Sequence, residues 1–83
     1  MDSHVRAHIH FMTHEDAAKF VTELNSDGTV NRYILENFDV TSRVNARSLM
    51  GVIYAMAEYA DNIYLVNDTL DGYFPSFIDK YRA

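Results

Sequence analysis

Val5, Ala7, Ile9 and Phe11 alternate with His4, Arg6, His8 and His10, and this period of two predicts a half-buried strand whose polar face is rich in histidine. Beyond Met12 the period lengthens. Ala17, Phe20, Val21 and Leu24 fall at i, i+3, i+4 and i+7, one face of an amphipathic helix, and Thr13 followed by Asp16 gives it a capping signal at its start. Asn25-Ser26-Asp27-Gly28 ends it, because Gly28 can take the left-handed backbone that helix termini use. The β-forming run over residues 29–36 predicts a second strand, and Asn37-Phe38-Asp39 a turn into a third near residues 40–44. Ser48 then suits the N-cap of a helix with Leu49, Met50, Val52, Ile53, Met56 and Ala57 as apolar positions. Good helix formers through Glu58, Tyr59 and Ala60 lengthen it. Residues 63–66 read as the last strand and residues 67–69 as a turn. Leu70, Tyr73, Phe74, Phe77, Ile78 and Tyr81 trace one face of a closing helix that starts near Asp71. Proline inside a helix costs about 3 kcal/mol, so Pro75 belongs in the first turn or at a kink.

The order strand, helix, strand, strand, helix, strand, helix places the chain in the α+β class, as a two-layer sandwich with helices on one face of an antiparallel sheet. No linker or internal repeat divides residues 1–83, so one domain is expected, with Phe20, Leu24, Leu65, Phe74, Phe77 and Ile78 in a shared core.

Composition narrows the function classes. The net charge of −5 and the lack of a basic stripe argue against a nucleic-acid partner. The longest apolar-rich run, residues 49–57, is far short of the ~20 residues of a membrane span, and no signal-peptide pattern is seen. With no cysteine, the chain suits a reducing cytoplasm and has neither a thiolate nucleophile nor a thiolate metal ligand. No glycine-rich phosphate loop or activated-nucleophile motif occurs, so an enzyme is not expected. His8 and His10 share one strand face, a spacing that can chelate a divalent metal. No third ligand is fixed by the sequence, so a solvated polar face is the default and neither metal nor cofactor is expected.

The stretch Val44-Asn45-Ala46-Arg47-Ser48-Leu49-Met50-Gly51-Val52-Ile53 resembles the Val-Asn-x-Lys-Ser-Ile/Leu-Met-Gly-Val segment of HPr, the histidine-containing phosphocarrier of the bacterial phosphoenolpyruvate:sugar phosphotransferase system. Asp61-Asn62-Ile63-Tyr64-Leu65-Val66 follows without a gap where that family has its last strand. Residues 5–18 lie over its first strand and Gly-Ile-His-Ala-Arg-Pro-Ala motif. Insertions and deletions fall between Asn25 and Val44. The resemblance implies the HPr open-faced sandwich, β-α-β-β-α-β-α, with four strands covered on one face by three helices. It also implies that His14 stands at the phosphohistidine, that Ser48 stands at the serine modified by an HPr kinase, with Arg43 and Arg47 as nearby cations, and that Leu49, Met50 and Ile53 form a partner-docking patch. An enzyme I-like or HPr-kinase-like protein and a regulatory partner docking near His14 and the Ser48 helix are the implied partners.

One departure changes the functional reading. His14 is followed by Glu15-Asp16-Ala17 where the family has Ala-Arg-Pro, so an attractive charge near the phosphoryl group becomes a repulsive one. At ~4 Å and an effective dielectric near 20, a unit charge is worth about 4 kcal/mol. The expected function is a regulatory or accessory module of a phosphotransferase-type system with a degenerate histidine site. An active phosphocarrier using His14 and a metal-binding or purely structural module are the alternatives. Each site also has a plainer reading: a solvated or capping histidine, a serine that serves only as N-cap, and an apolar stripe that belongs to the core.

Overall fold

The computed structural model describes residues 5–28, 31–69 and 72–83. The elements are β1 (Ala7–Ile9), α1 (His14–Asn25), β2 (Tyr33–Glu36), β3 (Arg43–Asn45), α2 (Leu49–Glu58), β4 (Ile63–Asn67) and a 3-10 helix over Ser76–Tyr81. The four strands form one antiparallel sheet in the order β1-β4-β2-β3.

Register assigns the two faces. Ala7 lies opposite Leu65, Leu65 opposite Leu35, and Leu35 opposite Val44. Ala7, Leu65 and Leu35 of this row, with Ile9, Tyr33 and Ile63, join Phe20, Leu24, Val52, Ala55 and Ile78 in the buried core, and Val44 packs against it half-buried. The next row crosses the sheet as His8, Tyr64, Glu36 and Arg43. Because side chains alternate along a strand, that row belongs to the opposite face. The core therefore lies between one sheet face and the helices, and the α+β sandwich expected from the periodicity is present.

Three local expectations need correction. The third strand begins at Arg43, later than residue 40, because Asn37 folds the preceding segment into a loop. Its Oδ1 accepts from Ser42 N at 3.1 Å and its Nδ2 donates to Thr41 Oγ1 at 2.9 Å. Val40 there has φ +60°, a left-handed backbone incompatible with a strand and strained for a β-branched residue. The closing helix is a 3-10 turn beginning at Ser76, with Pro75 preceding it as N-cap. A residue before proline is driven out of the α region, which disfavours helix at Phe74 and delays its start. Asp71 and Leu70 lie outside the described residues. Of the expected core, Phe20, Leu24, Leu65 and Ile78 are wholly buried, whereas Phe74 and Phe77 are half-buried and pack on its margin.

Candidate functional site

His14 is the first residue of α1 and is exposed. Thr13 before it has an extended backbone, and its hydroxyl accepts from Asp16 N at 3.1 Å, so the capping signal operates as expected. Ala17 N already donates to Thr13 O at 3.2 Å, which closes the first helical turn. Glu15 and Asp16 both lie in that turn. They complement the helix dipole, and they place two carboxylates beside any phosphoryl group that His14 would carry.

Ser48 caps α2, its Oγ accepting from Gly51 N at 3.3 Å. The cations expected beside it are directed elsewhere. Arg47 donates to the carbonyl oxygens of Leu24 and Asn31 and lies over the Tyr33 ring, while Arg43 reaches Glu36 and Asp68. The Arg47 contact, together with Asn25 Nδ2 donating to Arg47 O at 3.3 Å, fixes the C-terminal end of α1 against the N-terminal end of α2. His14 and Ser48 consequently sit at opposite ends of the helix pair. A 12-residue helix separates its two ends by about 18 Å.

The residues expected to dock a partner fare differently. Val52 and Ala55 turn α2 toward the core, and the stripe left outside carries Met50, 83% exposed, with Leu49, Tyr54 and the half-buried Ile53. Met12, two residues before His14, is 82% exposed. Apolar side chains at such exposure suit a contact surface better than a core. Gly51 stands where α2 crosses β3: a Cβ there would lie 2.8 Å from Asn45 O. The Met-Gly pair thus combines a close approach to the sheet with an exposed methionine on the far side.

A second constellation lies on the helix-free sheet face. Glu36 is wholly buried between Arg6, with Nε–Oε2 2.8 Å, and Arg43, with Nε–Oε1 3.3 Å. Arg6 also lies over Tyr64, 4.0 Å from the ring centre, and donates to Asn37 O and Phe38 O. His8 stacks on Tyr64 at 4.6 Å. Its Nε2 donates to Asp61 O at 2.6 Å, so that nitrogen is not presented toward His10 as a metal ligand. Among the described residues no group of three or more His, Asp or Glu side chains is placed to hold a metal. The Arg6–Glu36–Arg43 network escaped sequence reasoning because its members are distant in the chain. The signal that could have found it is strand parity, which puts Arg6, Glu36 and Arg43 on the polar face once the strand order is known.

No family model, curated protein or solved structure matches the chain. Among the described residues, no helix is long and apolar enough to cross a membrane.

Proposed function

We propose that the chain is an HPr-like, non-enzymatic docking module of a phosphotransferase-type system, acting in the cytoplasm, with a histidine site that accepts phosphate poorly. The observation carrying this reading is the outward stripe of α2, where Leu49 and Met50 are exposed and Ile53 is half-buried, at the positions where the sequence resemblance expects a partner to bind, with exposed Tyr54 beside them. Support comes also from the antiparallel sheet and from an element order that follows the arrangement the resemblance implies as far as β4, the closing helix being a 3-10 turn. Its partners would be an enzyme I-like or HPr-kinase-like protein. Ser48 would be the regulatory site at an N-cap, where a phosphate gains from the helix dipole.

His14 keeps a helix start, whose free N–H groups favour an anion, and lacks the neighbouring cation. Incubation with phosphoenolpyruvate and enzyme I, followed by mass measurement, tests this reading. Wild-type protein should acquire little acid-labile phosphate while a family HPr in the same mixture is fully modified. The double change Glu15→Ala, Asp16→Arg should raise the rate by at least about tenfold, since reversing a nearby charge is worth several kcal/mol. Adding His14→Gln should abolish the gain. Ala17 is left unchanged because proline there would remove its hydrogen bond to Thr13 O. Phosphorylation of the wild type at the rate of a family HPr would replace this reading by that of a working phosphocarrier.

A further inference from the structure

Arg32, Arg43 and Arg47 line one cavity of about 570 Å³ at the β2–β3 side of the sheet, with Asn45 on its wall and Ile34 and Val44 as apolar lining. None of the described residues forming its wall is acidic, and two carboxylates, Asp68 and Glu36, reach its arginines from beside it. The volume falls within the roughly 300–1,000 Å³ typical of small-molecule sites, well above what a bare inorganic anion fills. The arginines are positioned before any ligand arrives. Buried Glu36 holds Arg43, and two backbone carbonyls hold Arg47.

Asp68 indicates where an anion would sit. Its two oxygens reach different guanidinium groups, Oδ2 to Arg32 Nη1 at 3.7 Å and Oδ1 to Arg43 Nη2 at 3.5 Å. Both distances exceed the ~2.7–2.9 Å of a charge-assisted hydrogen bond. A monoanionic carboxylate on a one-third exposed side chain therefore spans the two cations loosely. A dianion with three terminal oxygens could approach both forks closely.

We infer that this cavity binds a small phosphate monoester, its phosphoryl group between Arg32 and Arg43 in place of the Asp68 carboxylate and its organic part against Ile34 and Asn45, which share the sheet face of Arg43. Planar, permanently charged guanidinium forks match phosphate oxygens in geometry as well as in charge. The site is independent of the α2 docking stripe and does not rest on the HPr-like reading.

The test is an amide NMR titration of the full chain at fixed ionic strength with ribose 5-phosphate, with inorganic phosphate and acetate as comparison ligands. Saturable shifts are expected at residues 31–34 and 43–47, with ribose 5-phosphate bound at least about tenfold more tightly than either comparison ligand. Arg32→Gln changes an exposed side chain and should weaken binding at least about fivefold. Asp68→Asn should tighten it, because it removes the competing anion. Non-saturating shifts, shifts centred elsewhere, indifference to Arg32→Gln, or weaker binding by Asp68→Asn would each overturn the site. Inorganic phosphate binding as tightly as the ester would overturn the assignment of a monoester.

Discussion

At the scale of single residues, the chemistry of this chain is set by partners far apart in sequence. Tyr81, on the last 3-10 turn, donates its hydroxyl to Glu23 Oε1 at 2.8 Å, and Lys80 Nζ lies 2.6 Å from Glu23 Oε2. Burial, then the hydrogen bond to Glu23, pushes the Tyr81 hydroxyl up to about 12, and the hydrogen bond from Lys80 holds the Glu23 carboxyl below its ordinary value. A raised phenol pKa means that the fold favours neutral tyrosine. Its contribution is fully present below pH ~10, the unfolded value, and is lost as pH climbs toward 12. Wild type should therefore lose roughly 2 kcal/mol across that window relative to Tyr81→Phe, as measured by urea unfolding at each pH. A gap between the two proteins that stays constant from neutral pH to the alkaline limit would show that the phenol titrates normally. None of this was legible in the sequence, where Tyr81 appeared only as one apolar position of a helix. Both N-caps, Thr13 and Ser48, were legible, because a cap is a local device: its donor lies three residues away on the same chain segment.

Elements show the same division between local and long-range causes. Residues 17–24 specify α1 by their own spacing, and the helix occupies the expected stretch. β3 and the closing helix are misjudged by local pattern because the Asn37 side-chain bonds and the restriction before Pro75 override it. That shift changes which aromatic matters. Ile78 is wholly buried and Phe77 only partly, so Ile78→Ala should cost about 2–4 kcal/mol and Phe77→Ala about 1–2, measured by denaturant unfolding. The reverse ranking would mean that the 3-10 turn presents its other side to the core. Gly51 offers a second check on α2. Alanine in a helix interior ordinarily gains about 1 kcal/mol over glycine. Here its Cβ would meet the Asn45 carbonyl at 2.8 Å, in a strand that cannot move without disturbing the sheet. Gly51→Ala should consequently destabilise by roughly 1–2 kcal/mol, against the propensity scale. Any gain in stability would show that α2 and β3 are less closely apposed.

For the whole molecule, one sheet face and the helices consume most of the buried apolar residues, and the apolar side chains left outside lie mainly on α2 and in the loops. The sandwich was legible because alternation and helical period together dictate which faces must be covered. The arginine cavity and the Arg6–Glu36–Arg43 network were not, since both depend on strand order, which β1-β4-β2-β3 supplies only in three dimensions. The outward stripe of α2 was half legible: Leu49, Met50 and Ile53 were singled out by resemblance, and Tyr54, 49% exposed, joins them only once the core-facing side of α2 is known. On the proposed reading, the carboxylates of Glu15 and Asp16 would oppose a phosphate on His14 and leave the α2 stripe untouched, so docking and phosphoryl transfer would separate. The most direct measurement is an amide NMR titration of the chain with enzyme I, without phosphoenolpyruvate. Saturable perturbation of Met50, Ile53 and Tyr54 is expected, lost or weakened at least about tenfold by Met50→Asp, which places a charge in an apolar contact. Absence of binding, or a perturbed surface away from α2, would contradict an HPr-like docking role.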